Sequence, residues 1–207
     1  PIIISLVTSG WFILFARWHL LLKNSKIFIP KKDNLVIFFS SFALAVIPGK
    51  MGDLIKSQLL KTKFGIPRSR TVPIVMLEQL YTVIGLVFLS FFGIWYFELG
   101  TYVIGFFTAL LVFVFILISS RKTFNKMVLL LGKWKYTSKF VEPSSLSYDT
   151  IKTSIRGPIV FYASALTIIF WLIETIVVYF VLLSFGIDSM EFLKVIPTYT
   201  TSLMLGF

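Results

Sequence analysis

The chain has no cysteine, one histidine (His19) and little charge, and each shortage excludes something. Without cysteine there is no disulfide framework and no thiolate metal or redox chemistry. A single imidazole cannot build a histidine-rich metal site, so neither a metal nor a cofactor is expected. Only 14% of the 207 residues are charged, against about a quarter in an ordinary soluble domain. There is no nucleotide-binding glycine loop, no paired loop carboxylates and no Ser-His-acid set, so nothing in the chain argues for catalysis on its own.

What is present is apolar surface in long runs. The chain is 57% hydrophobic, contains 23 Phe and has a mean hydropathy of +0.91. Runs long enough to cross a hydrocarbon core of about 30 Å, which takes about 20 helical residues, cover 1–22, 71–97, 102–119 and 159–185. A shorter apolar run, 35–48, has 14 residues. A last one begins at 195 and continues to 207. The expected fold is therefore all-α, a polytopic integral membrane helix bundle, read as a single transmembrane domain over 1–207. Because the chain opens on Pro1 and stops inside an apolar stretch, it is expected to be a piece of a longer protein.

The net charge of +11 is not scattered. Of the 20 Lys and Arg, 18 lie in three connections, near 23–32, 50–70 and 121–156, while the connections near 98–101 and 186–194 carry acids and one Lys. The positive-inside rule places the three basic loops in the cytoplasm of a multi-pass cell-membrane protein. Beside spanning helices their natural partners are anionic lipid headgroups rather than nucleic acid. Two basic loops flank the short run at 35–60, and both belong on one side. A re-entrant hairpin is the economical reading, with a short crossing helix as the alternative; irregular backbone at that depth needs protein or a wet cavity around it. Within 120–157, Phe124, Met127, Val128, Leu130 and Leu131 among basic residues suggest an interfacial helix, with a solvated cytoplasmic loop as the alternative, followed by a turn or linker at Glu142-Pro143-Ser144-Ser145.

The densest local signal is Pro48-Gly49-Lys50-Met51-Gly52-Asp53-Leu54-Ile55-Lys56. Pro48 and Gly49 stop the apolar helix, and Gly52 permits close backbone approach. Lys50, Asp53 and Lys56, three apart, share one face of a helix that starts there. Its free N–H groups and two ammonium groups suit a lipid phosphate; a plain helix end with snorkelling lysines is the competing reading. Three further polar residues lie at membrane depth: Arg17, Glu78 and Glu174. Such groups usually face a bundle interior or a wet cavity. Arg17 is read as a partner for an acid or as a snorkelling side chain, and Glu174, the deepest, as the stronger functional candidate. Val46-Ile47-Pro48 recurs as Val195-Ile196-Pro197, each at the edge of a broken apolar segment, a pattern that internal repeats of transporters produce.

The string at 48–56, followed on the next span by Glu78 and preceded by Arg17-Trp18, resembles the transmembrane, flippase-like domain of the lysylphosphatidylglycerol synthetase family. Members of that family show a Pro-x-Arg-x-Gly-Glu-x-x-Arg string and then a Glu-Arg pair. Here Lys50 and Lys56 replace the arginines, Asp53 replaces the Glu, and Gln79 stands where the second Arg is expected. A lysine lacks the bidentate grip of arginine. The family also continues into a Pro-Gly-Gly-rich segment that this sequence does not reach. The resemblance implies a domain that binds and translocates or presents an anionic phospholipid or polyprenyl-phosphate lipid. It equally allows the membrane part of an aminoacyl- or glycosyltransferase whose soluble catalytic domain lies elsewhere. Oligomeric state is left open.

Overall fold

The computed structural model describes residues 1–44, 53–93, 98–123, 126 and 145–205. Their regular structure is helical, with no strand among the described residues. The helices are α1 (Ile2–Asn24), α2 (Lys31–Ser40), α3 (Leu54–Phe64), α4 (Arg68–Ser90), α5 (Glu98–Ser119), α6 (Ser145–Ser154), α7 (Pro158–Ser184) and α8 (Phe192–Leu205). Short 3-10 turns, Ser41–Leu44 and Phe91–Gly93, extend α2 and α4.

Three of the helices, α1, α4 and α7, are long and apolar enough to cross a membrane, with 23, 23 and 27 residues. At 1.5 Å per residue they reach about 35–40 Å, the hydrocarbon core plus part of each headgroup layer. Within α5 the stretch Thr101–Val114 is also apolar. Large apolar side chains stand exposed along these helices, among them Phe12, Phe88, Phe106, Phe113 and Phe161. On a soluble protein that would be a liability, and in a bilayer it is the solvated surface. Burial is uneven: 67% of the spanning window of α4 is buried, against 17% for α1 and 11% for α7. Polar residues of both α4 and α7 are nonetheless sheltered where the helices meet, among them Glu78, Thr82, Thr167 and Thr175.

Residues 1–17, 80–112 and 161–207 form one compact unit, and 18–79 with 113–160 form another. In the first unit, α7 meets α1 and α4 where glycine removes a side chain. A Cβ on Gly10 would stand 3.3 Å from Phe170, and one on Gly85 would stand 2.7 Å from Thr167 Cγ2 and 3.2 Å from Trp171 Cδ1. Leu86, Val87 and Met204 form a small core with Val103, Phe107 and Trp171 packed around it. Ser90 Oγ donates to Thr200 Oγ1 at 2.8 Å, tying the end of α4 to α8.

In the second unit, α2 and α3 lie against each other. With 10 and 11 residues, each is about 15–17 Å long, half of a hydrocarbon crossing. Gly65, in the left-handed conformation at φ 67°, caps α3, and its N–H bonds to the Lys61 carbonyl at 3.0 Å. Ser57 and Thr71 share a 2.5 Å hydroxyl contact between α3 and α4. Arg70 donates to the Ser25 carbonyl at 3.0 Å.

Two features differ from the sequence reading. Pro197 does not mark a break: it sits inside α8, which runs on through it to Leu205. Proline inside a membrane helix is tolerated where the surroundings satisfy the freed carbonyl, and Pro197 lies only in the second turn of α8. Val46-Ile47-Pro48 lies outside the described residues, as do most of the residues named for an interfacial helix. The second is α6, Ser145–Ser154, a helix inside the stretch 120–157 read as interfacial or loop; of the expected linker only Ser145 is described, and 142–144 lie outside the described residues. Tyr148 and Ile151, three apart, are buried, and Asn24 Nδ2 donates to Ser154 Oγ at 3.2 Å.

Candidate functional site

Of the string at 48–56, Pro48, Gly49, Lys50 and Gly52 lie outside the described residues; Asp53 and Lys56 are described. Asp53 occupies the N-cap of α3 but makes no capping hydrogen bond. Its carboxylate is used elsewhere. Oδ1 is 3.1 Å from the ammonium of Lys56, the i,i+3 neighbour, and Oδ2 accepts from Gln79 Nε2 at 2.7 Å. Lys56 in turn donates to Glu78 Oε2 at 2.6 Å. Residues that are 22 and 26 positions apart in sequence thus close into one network between the start of α3 and the middle of α4.

The network is buried. Lys56 and Glu78 side chains are each 3% exposed, and Asp53 is 27% exposed. The Lys56 ammonium also faces two rings, 4.9 Å from the centroid of Trp18 and 5.5 Å from that of Phe38. A cation over an aromatic face gains about 0.5–2 kcal/mol, more when desolvated. Trp18 is itself fixed: its Nε1 donates to Asn34 Oδ1 at 2.8 Å, and Asn34 Nδ2 pairs with His19 Nδ1 at 2.9 Å. Asn34 is fully buried.

The shared face of Asp53 and Lys56 is therefore as the spacing requires, but its electrostatics differ from a simple anion cradle. Asp53, Lys56 and Glu78 together carry a formal charge of −1. Lys56, with both carboxylates on its ammonium, holds the site together.

Gln79 takes the position where the resembling family carries an arginine, and its role here is to hold Asp53. Nothing in the spacing of the sequence announced that pairing, nor the Trp18–Asn34–His19 chain. Asn34 reads as one more polar residue of a basic loop until its burial is seen.

Arg17, in the other unit, is 4% exposed, so it does not snorkel. Its Nη1 donates to Thr82 Oγ1 at 3.2 Å and to Thr167 Oγ1 at 2.9 Å, joining α1, α4 and α7. Glu174 lies in the same unit on α7, partly buried, with Oε1 3.6 Å from the point where a Cβ on Gly10 would stand. Among the described residues, no group of three or more His, Asp or Glu could hold a metal ion.

Long apolar helices with charged side chains paired inside them define a multi-pass membrane protein. The family comparison is specific. The whole chain, residues 1–207, matches the model of the lysylphosphatidylglycerol synthase TM region, and the chain belongs to that family. Comparison with curated proteins and with solved structures gives no significant match.

Proposed function

We propose that this domain binds an anionic phospholipid or polyprenyl-phosphate lipid at residues 48–56 and translocates it or presents it across the membrane. The observation that supports this reading is the convergence of Asp53 and Lys56 with Glu78 and Gln79 in one buried network. Ionisable groups are expensive at membrane depth and are usually retained for function. Here they converge beside the short helices α2 and α3. We take those two helices to be the arms of a re-entrant hairpin, because neither is long enough to cross and both flanking connections are basic.

Within that site the roles divide. Lys56, neutralised by two carboxylates, is a positioning residue. Lys50 supplies the charge that meets the headgroup phosphate, since the three described ions are net acidic. A second reading keeps the same fold but makes it the membrane part of a lipid-modifying transferase whose catalytic part lies elsewhere. The family's description as the TM region of a synthase favours keeping that reading in view.

The experiment is anionic-lipid binding by the protein reconstituted in nanodiscs. A charge-assisted contact to phosphate contributes about 1.5–3 kcal/mol, and about 1.4 kcal/mol is a factor of ten. Lys50→Gln should therefore weaken binding of phosphatidylglycerol about tenfold or more, while Lys50→Arg should retain it. The double change Lys31→Gln with Lys32→Gln should do much less, because those charges act through the diffuse surface potential. Equal losses from Lys50→Gln and from the Lys31/Lys32 pair would show that only general basic charge matters and would end the specific-site reading.

A further inference from the structure

The two acids in the apolar stretches of α4 and α7 are treated in opposite ways. Glu78 is enclosed and paired with Lys56. Glu174, on α7, receives no hydrogen bond and no ion pair from any described residue, although it lies 17 residues into a 27-residue apolar helix. An ionised carboxylate left so in a membrane is costly unless something else neutralises it.

Its surroundings indicate what that partner is. Residues 170, 171 and 174 lie within one turn of α7, and helical side chains lean back toward the N-terminus. The Glu174 carboxylate therefore extends over the turn that carries Phe170 and Trp171, whose rings meet edge-to-face at 4.9 Å. Gly10, on α1, lets both side chains approach that helix closely: a Cβ there would stand 3.3 Å from Phe170 and 3.6 Å from Glu174 Oε1. Tyr199 from α8 brings a third ring, 6.4 Å from that of Trp171. A carboxylate with aromatic faces next to it is the arrangement that receives an organic ammonium.

A second, independent observation completes the picture. The indole Nε1 of Trp171 is buried and has no hydrogen-bond partner. Buried indole N–H groups nearly always find an acceptor, because an unmet one forfeits its solvation. One turn of helix thus presents an unmet acceptor with negative charge and an unmet donor. A ligand that satisfies both carries a cationic N–H group and an oxygen acceptor.

We propose that Glu174, Trp171 and Tyr199 form a second binding site, for a zwitterionic headgroup of the ethanolamine-phosphate type. The Glu174 carboxylate takes the ammonium and the Trp171 indole takes a phosphate or ester oxygen. The site lies wholly within the unit that contains residues 161–207, and it does not depend on the roles given above to Lys50 and Lys56. Its failure and theirs are separately readable.

The test uses the intact protein in nanodiscs and two short-chain probes, dihexanoylphosphatidylethanolamine and dihexanoylphosphatidylglycerol, with bound lipid counted by native mass spectrometry. Glu174→Gln should weaken the ethanolamine probe about tenfold or more and leave the glycerol probe little changed. Trp171→Phe, which keeps a ring and removes the N–H, should weaken the ethanolamine probe by a smaller factor. Displacement of that probe by free phosphoethanolamine would assign recognition to the headgroup alone. Lack of displacement would assign it to the whole lipid, and either result supports the site when Glu174→Gln shows the selective loss. Equal binding of the ethanolamine probe by wild type and Glu174→Gln overturns the proposal, and so does an equal loss of both probes. Should Glu174→Gln not fold, Trp171→Phe carries the same test: an unchanged affinity for the ethanolamine probe, or an equal loss of both probes, overturns the proposal.

Discussion

Replacing Lys56 by methionine keeps a side chain of similar length against Trp18 and Phe38 and removes only the charge. In the native arrangement Asp53 Oδ1 and Glu78 Oε2 lie within 3.1 Å and 2.6 Å of the same nitrogen. Lys56→Met leaves those two carboxylates close together, one of them fully enclosed, with no cation between them. Removing one partner of a buried pair typically costs about 3–5 kcal/mol, chiefly because the other charge stays desolvated. For a chain of this size each kcal/mol moves the melting temperature about 2–4 °C, so the expected drop is roughly 6–20 °C. Glu78→Gln should cost less, since Lys56 still has Asp53. The double variant should recover part of the Lys56→Met loss, with a coupling of about 0.5–3 kcal/mol. The assay is thermal unfolding of the purified protein in one detergent, followed by tryptophan fluorescence and by loss of the monodisperse peak. A Lys56→Met protein that melts within about 2 °C of wild type, or a double variant whose losses simply add, would refute the view that this lysine holds the network.

Three further outcomes are expected. Single cysteines introduced into the cysteine-free chain at positions 32 and 63 should label from the same, cytoplasmic side, and those near 99 and 188 from the other; labelling of 32 and 63 from opposite sides would remove the re-entrant hairpin. Gly85→Ala should cost about 1–3 kcal/mol in the same melt, because its Cβ would stand 2.7 Å from Thr167 Cγ2, whereas Gly105→Ala, with nothing within 4 Å, should be neutral or slightly stabilising. Asn34→Leu should lower stability by about 1–3 kcal/mol by leaving the buried Trp18 indole N–H without its acceptor, and Asn34→Asp should recover part of that loss.

The membrane class, the all-α fold and three long apolar helices could be read from the sequence, because apolar length is a one-dimensional property that folding does not rearrange. The spacing of Asp53 and Lys56 on one face was legible for the same reason, since i,i+3 geometry is local. What could not be read was every partner supplied by another helix. Lys56 looked like a headgroup ligand because its sequence neighbours include Lys50 and Gly52, and the residue that claims its charge, Glu78, lies 22 positions on. Gln79 looked like a missing arginine and turned out to be the donor to Asp53. Pro197 stands near the start of the last apolar run, where a broken segment is expected, whereas the helix begins at Phe192 and continues past it. The helix α6 was missed because 10 residues with two buried apolar side chains among those described, Tyr148 and Ile151, give too weak a periodicity to register.

The Arg17 node has a consequence for how the chain is made. Arg17 is 65 residues from Thr82 and 150 from Thr167, so 85 residues of synthesis separate its two hydroxyl partners. At about 5–20 residues per second, α7 emerges some 4–17 s after the part of α4 that it will meet. Over that interval a guanidinium that ends up almost fully enclosed has only half of this pair of acceptors, and Gly85 has no Thr167 to close upon. The nascent α1 and α4 must therefore be kept at an aqueous or chaperoned interface, and release into lipid has to wait for α7. This domain should depend on its insertion machinery for longer than its apolar content would suggest, and truncation before residue 158 should yield a chain that the membrane does not retain in a folded form.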